Sequence, residues 1–477
     1  MRMRTILQFA FLLTAAACAV NPATGRREFS LISEREEIQM GREADQDISA
    51  SLGLVDDPEL QAYVSNLGMQ LAAVSERPRL PWSFKVVDDP IVNAFALPGG
   101  FIYVTRGILS HFDSEAELAG VLGHEIGHVT AKHSVSQMSR QQLQQIGLGV
   151  GMAVSQSVRD YGGVAAAGLQ ILNLNYSRGD ESQSDELGLR YISRRQYDPD
   201  AMIGVFQMLG QVGGGGEGRI PEWQLTHPLP ENREADMRKL IAETGVARTG
   251  AVNRDVFLDQ IDGMVYGENP RNGYFEDDRF LHPDLAWELT FPFGWSTVNQ
   301  TSVVGAIAPG ENALVVLGVD DDGVAPDAEL RDFLRGEGVS GGTIRENDSG
   351  RVRTARATFE SRSDDSVLNG EIAFLRYGDV TYRIVGYAPQ ANWAEYATTV
   401  GSTISSFRPV TDRSVLEIEP MRIDVVRIDE PMSLNTFVQR FPQPIDVDEL
   451  ARINRLSPGE VMGAGTRLKV VRGMPVG

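Results

Sequence analysis

Residues 113–131 read Asp113-Ser114-Glu115-Ala116-Glu117-Leu118-Ala119-Gly120-Val121-Leu122-Gly123-His124-Glu125-Ile126-Gly127-His128-Val129-Thr130-Ala131. Asp113-Ser114 is a helix cap, with Glu115 and Glu117 in the first turn, where negative charge suits the helix dipole. His124 and His128 stand four residues apart, so one face of a helix carries both imidazoles toward one ion. Leu118, Leu122, Ile126 and Val129 form a separate apolar stripe that can face a core. Gly120, Gly123 and Gly127 each cost about 1 kcal/mol of helix propensity relative to alanine. A helix carries that cost where another backbone or a ligand approaches closely. The segment therefore predicts a buried helix at a metal site.

A hydrolytic zinc site keeps three protein ligands and one open position. With a single cysteine, Cys18, in the chain, no cysteine-based site can form, and the third ligand must be His, Asp or Glu. Glu181 is the candidate. Asp185, at i+4 on the same expected helix, is placed to hold a ligand imidazole from behind. Nearby Asp180 and Glu186 read equally well as solvated charges. Glu125 sits beside the water that such an ion would activate, so it reads as the general base. His227 is available to stabilise an oxyanion. Among the remaining histidines, His111, His133 and His282 read as surface or capping residues.

The 477 residues suffice for two or three separate cores. Forty-four basic residues face 65 acidic ones, a net charge of −21, which argues against nucleic acid and against electrostatic docking on anionic lipid. Arg2 and Arg4 followed by the apolar run Ile6 to Ala17 have the form of a secretory signal. The run ends at Ala15-Ala16-Ala17, and the lone cysteine follows directly. Cys18 thus reads as a lipid-attachment residue, against the alternative of ordinary signal cleavage beside it. Ala19 after the cysteine points toward an outer-membrane lipoprotein facing the periplasm; a soluble periplasmic or secreted protein is the alternative.

Helical spacing marks residues 30–80, as in Leu60, Tyr63, Val64 and Leu67. Trp82 to Asp88 alternates like a strand, and Ala94 to Thr105, broken by Pro98-Gly99-Gly100, reads as a hairpin. Ile146 to Leu174 is interrupted by Ser155, Gln156, Ser157, Arg159 and Asp160. It lacks the roughly 20 apolar residues of a membrane span and reads as two packed helices. A helix is expected from about 181 to 195. From about 276 the pattern is strands at 287–291, 313–319, 351–359, 371–377 and 381–387, with helices at 327–335 and 392–406. A strand-helix-helix-strand unit closes the chain over 422–428, 434–441, 447–454 and 467–471. The expected class is α+β throughout.

These residues resemble the HtpX- and BepA-type zinc metallopeptidases, peptidase family M forty-eight. Four segments carry the likeness: Asn93 to Gly107, His124 to His128, Glu181 to Asp185 between Arg178 and Gly188, and Thr226-His227-Pro228 with Asn232-Arg233. Ser184 stands where alanine is common in the family. The resemblance covers roughly residues 25–245. It implies a mainly helical gluzincin peptidase domain with a small edge sheet, over 19–250 after a signal at 1–18. It implies one Zn2+ on His124, His128 and Glu181, Glu125 as base, and peptide substrate adding as a strand beside Ala94–Val104. For His227 it allows two roles, transition-state stabiliser or fourth zinc ligand of a latent enzyme. Residues 276–410 resemble a PsbP/Mog-like α+β domain. Residues 420–473 resemble a LysM module, which implies peptidoglycan as a partner. The expected function is a metalloendopeptidase acting on misfolded or stalled envelope proteins. The alternative is a latent or inactive zinc protein serving as chaperone or wall-binding assembly factor.

Overall fold

The computed structural model describes residues 18–139, 176–213, 227 and 232–475, apart from short breaks at 24, 26, 30–31, 302, 321–322, 348–349, 363–365 and 458. Residues 1–17 of the expected signal at 1–18, and the helices expected within 146–174, lie outside the described residues. Strands β1 (Cys18–Val20) and β2 (Arg27–Phe29) pair antiparallel. Helix α1 (Glu34–Leu52) starts on a reciprocal cap in which Ser33 Oγ accepts from Glu36 N–H and the Glu36 carboxylate accepts from Ser33 N–H. Helix α2 (Pro58–Ala72) is capped by Asp57, with proline at its first position. A three-stranded sheet follows from β3 (Ser83–Val87), β4 (Ala94–Leu97) and β5 (Phe101–Thr105). Its order is β3-β5-β4, so β4, the first arm of the expected hairpin, lies at the sheet edge.

The short α3 (Arg106–His111) leads into α4 (Glu115–Ala131), where Ser114 Oγ accepts from Glu117 N–H as its cap residue should. Every residue of α4 is buried, not its apolar stripe alone. Helices α5 (Arg178–Arg194), α6 (Asp200–Gly213), α7 (Arg233–Thr244) and α8 (Arg254–Ile261) complete the first region. The sequence pattern does not predict the last three.

The next region has β6 (Tyr274–Glu276), β7 (Arg279–His282), β8 (Trp287–Thr290), β9 (Ser296–Gln300), β10 (Val303–Ile307), β11 (Leu314–Asp320), α9 (Pro326–Phe333), β12 (Val339–Gly341), β13 (Arg345–Asn347), β14 (Val352–Arg362), β15 (Val367–Tyr377), β16 (Val380–Pro389), α10 (Trp393–Ser405) and β17 (Arg408–Pro409). Eight strands form an antiparallel sheet of order β12-β14-β15-β16-β11-β10-β9, with β13 also on β14. Helices α9 and α10 pack on it, and a four-stranded sheet of order β17-β8-β7-β6 adjoins.

Past α11 (Arg413–Leu416), β18 (Arg422–Arg427), β19 (Met432–Ser433), α12 (Leu434–Arg440), α13 (Val447–Ile453), β20 (Val461–Met462) and β21 (Arg467–Arg472) build the strand-helix-helix-strand unit, with β18 antiparallel to β21. It has no core of its own. One apolar cluster runs from Leu60 and Leu118 through Ile126 to Leu450 and Val471. A unit of about 50 residues buries too little surface to stand alone, and here it shares the core of α4. Polar contacts reinforce the seam. Lys469 is fully buried, and its Nζ donates to the carbonyls of Ser110 (3.0 Å) and Phe112 (2.7 Å), where α3 ends. Arg455 donates to Gly204 O at 2.8 Å and to Glu117 Oε1 at 3.0 Å.

Losing the ammonium would orphan those two carbonyls beside the helix that carries the histidines. Lys469→Met is expected to cost about 2–4 kcal/mol in denaturant unfolding at pH 7. Burial pulls the Lys469 proton affinity down from 10.5 to about 8, against the pull of Asp113 and Glu117. Between those values the unfolded chain binds more protons than the folded one. Stability should therefore rise from pH 8 to 10.5 in the natural chain relative to Lys469→Met, and a flat difference would remove this account.

Candidate metal centre

The site begins with two helices that touch backbone to backbone. A Cβ on Gly127 would stand 3.0 Å from Ser184 Cα, and one on Gly123 would stand 3.2 Å from Gly188 O. The glycines that weaken α4 as a helix are what lets α5 lie against it. That contact sets Glu181 and Asp185 opposite the histidines.

His124, His128, Glu181 and His227 are all buried, and each places one ligand atom within 4.8 Å of the others. The Nε2 atoms of His124 and His128 are 3.0 Å apart. Glu181 Oε1 lies 3.4 Å from His128 Nε2 and 3.0 Å from His227 Nδ1, and His227 Nδ1 lies 3.4 Å from His124 Nε2. A tetrahedral zinc with bonds of about 2.0–2.1 Å separates its ligand atoms by about 3.3–3.4 Å. The observed spacings cluster around that edge.

The chemistry of the donors fits as well. His124 Nδ1 donates to Asp185 Oδ1 at 2.9 Å, which leaves its Nε2 with a lone pair aimed at the group. Asp185 is held by Arg233, whose Nη2 donates to Oδ1 at 2.7 Å and Nε to Oδ2 at 2.8 Å. Arg233 Nη1 also lies 3.0 Å from Glu181 Oε2, and its guanidinium stacks 4.6 Å from the Phe206 ring centre. Nitrogen lone pairs and a carboxylate converging in a buried space repel one another unless a cation joins them. The residues present therefore suit zinc.

Glu125 is fully buried, and neither carboxylate oxygen has a hydrogen-bond partner among the described residues. His227 Nε2 is 3.6 Å from Glu125 Oε1. Burial, with the charge of Glu181, pushes the Glu125 carboxyl up to about 8, while His227 and Arg233 pull the other way. For His227 burial lowers the proton affinity, but Glu181 and Glu125 outweigh it and hold the imidazole above its ordinary value.

The structure thus brings together His124, Glu125, His128, Glu181, Asp185 and His227. Cys18 lies in β1, and His282 lies on β7. His111, the last residue of α3, caps its helix end as read, whereas His133 differs from the sequence reading. His111 is buried, its Nδ1 at 2.9 Å from Gly107 O and its Nε2 at 3.4 Å from Glu449. His133 is buried against His128. No period signals a residue that follows a helix break, which is why His133 escaped. In the sequence Arg233 stands out only through the family resemblance. A stronger signal was available: two carboxylates expected one turn apart at a buried site require a cation. Tyr176 has no sequence signal; its ring packs 4.0 Å from that of His128, and its hydroxyl pairs with Ser134 Oγ at 2.8 Å.

Residues 58–241 match the model of Peptidase family M48. The chain is similar to the β-barrel assembly-enhancing protease of Yersinia pestis, 33% identical over 226 residues, which are 46% of this chain and 46% of that protein. The protein of the same name from Escherichia coli K12 is 32% identical over 227 residues, with the same coverage. The mitochondrial metalloendopeptidase OMA1 of Arabidopsis thaliana is 34% identical over 194 residues, 40% of this chain and 38% of that one. The chain therefore spans less than half the length of each of these three relatives. Among solved structures, the cyanobacterial PsbP of Synechocystis covers 28% of this chain at 11% identity with a TM-score of 0.24, too slight a likeness to decide a fold.

Asp185→Asn keeps the shape of the side chain but removes the charge that orients His124 and neutralises Arg233. Zinc affinity, measured by competition with a chelator, should fall about 10–100-fold. An unchanged affinity would mean that Asp185 does not act on the site.

Proposed function

We infer that this chain, which carries an M48 peptidase domain over residues 58–241, is a zinc-dependent metalloendopeptidase of the cell envelope. One observation carries the reading: two imidazoles, a buried carboxylate and a Glu125 that accepts no hydrogen bond among the described residues converge within a few ångströms. His124, His128 and Glu181 would hold the ion, with Asp185 and Arg233 fixing two of them. Zinc at this position supplies Lewis-acid polarisation of a carbonyl and acidifies water. Glu125 takes the proton of the attacking water as hydroxide adds to the scissile carbonyl, then returns it to the amide nitrogen as the C–N bond breaks.

Substrate would add as a strand at β4, the edge of the small sheet, so the preferred targets are polypeptides that present an extended segment. Misfolded or stalled envelope proteins offer such segments. The names of the relatives and the signal-like start of the chain support that setting. His227 admits a resting form. Its Nδ1, 3.0 Å from Glu181 Oε1 and 3.4 Å from His124 Nε2, supports a reading in which it would take a fourth ligand position and exclude water.

One assay tests both points. The natural chain without residues 1–17 should cleave casein, and Glu125→Gln should lower kcat by about 10²–10⁴-fold. Equal rates would sink the peptidase reading. In the same assay His227→Ala raises kcat if the residue plugs the site. It lowers kcat with little change in KM if the residue stabilises the transition state.

The peptidase unit is taken as 19–250, the α+β unit as 276–410 and the LysM-like unit as 420–473. Lipid at Cys18 would tether the chain to the outer membrane on its periplasmic side. Labelled fatty acid should enter the natural chain and not Cys18→Ser. Residues 420–473 would let the full chain co-sediment with peptidoglycan sacculi, and its absence from the pellet would remove the wall from the list of partners.

A further inference from the structure

We propose that His133 and Gln183 set the proton on His128, and so decide whether that imidazole can bind metal at all; the proposal rests on the zinc reading above. Helix α4 ends at Lys132, which takes φ 62°, in the left-handed region. A residue with a Cβ pays roughly 1–2 kcal/mol there. The break turns the chain so that helix resumes at 133–139. His133, the first residue after the break, comes back against His128, four-hundredths exposed. Strain kept beside a candidate site invites a functional reason.

The hydrogen bonds supply one. His133 Nε2 lies 2.9 Å from Gln183 Oε1 and 3.7 Å from Asp180 Oδ1. Both are acceptors, so this nitrogen carries the hydrogen. A neutral ring then has a lone pair on Nδ1. That atom lies 3.0 Å from His128 Nδ1 and 3.3 Å from Ser184 Oγ. Two ring nitrogens 3.0 Å apart share one hydrogen, and it must sit on His128 Nδ1. His128 Nε2 is left with its lone pair directed at His124 Nε2 and Glu181. The run of donors reads His128 Nδ1–H to His133 Nδ1, then His133 Nε2–H to the Gln183 carbonyl oxygen. It parallels the bond from His124 to Asp185 but is built from neutral groups. A donor at position 183 would reverse every bond in the run and put the hydrogen on His128 Nε2, where it blocks the metal.

The test is zinc affinity of the full chain, by chelator competition at fixed pH, beside thermal unfolding of the same variants. Gln183→Ala and His133→Phe should each weaken zinc about 10–100-fold. Gln183→Glu, which can only accept, should restore most of the affinity lost in Gln183→Ala, whereas Gln183→Lys, which can only donate, should not. Natural affinity in His133→Phe, or equal affinity in Gln183→Glu and Gln183→Lys, would overturn the relay even if melting temperatures fall. If the natural chain itself takes up no zinc, the metal reading fails, and that result is distinct from a relay that fails with zinc bound.

Discussion

The site depends on a contact between two backbones. Helices α4 and α5 meet at Gly123, Gly127, Ser184 and Gly188, closer than any side chain between them would permit. Without that approach, the carboxylates of α5 would stand away from the imidazoles of α4. With it, Glu181 and Asp185 fall one turn apart on one side of the contact, and His124 and His128 one turn apart on the other. Helical repeat does the rest. Two i, i+4 pairs facing across a glycine seam make a compact polar group inside an otherwise apolar core.

Such a group is costly to bury, and the surrounding structure is organised around that cost. Arg233 brings a full positive charge to Asp185 and Glu181. Tyr176 covers His128. Both oxygens of the Glu125 carboxylate are left without a hydrogen-bond partner among the described residues, and burial raises its proton affinity toward neutrality. A core built for stability alone would not keep an unsatisfied carboxyl. The arrangement makes sense when the missing partners are a cation, water and substrate. The C-terminal unit belongs to the same economy. Lys469 and Arg455 finish the carbonyls and carboxylate at the entrance to α4, so the end of the chain helps hold the helix that bears the histidines.

Much of this was legible in the sequence. The spacing of His124 and His128, the cap at Ser114, and the three glycines predicted a buried helix with close backbone approach, and α4 is one. Alternation located most long strands of residues 276–410, because each shows one face to a core. Legibility failed where geometry is set by something other than a period. The edge strands β9, β12 and β13 are short or exposed and carry no clear alternation. His133 acts from beyond a left-handed break, and Arg233 reaches the site from α7. The largest difference lies at 420–473. Local pattern located four of its six elements nearly to the residue and missed the two-residue strands β19 and β20, but nothing local shows that a small unit shares its neighbour's core.

The central claim is a mononuclear zinc centre made of histidine and carboxylate. X-ray absorption at the zinc edge, on the full chain purified without added metal, addresses it directly. The account predicts one zinc per chain with three or four nitrogen or oxygen neighbours at about 2.0–2.1 Å, imidazole among them, and no sulfur. Absence of zinc, a sulfur shell near 2.3 Å, or six oxygen neighbours without imidazole would contradict it.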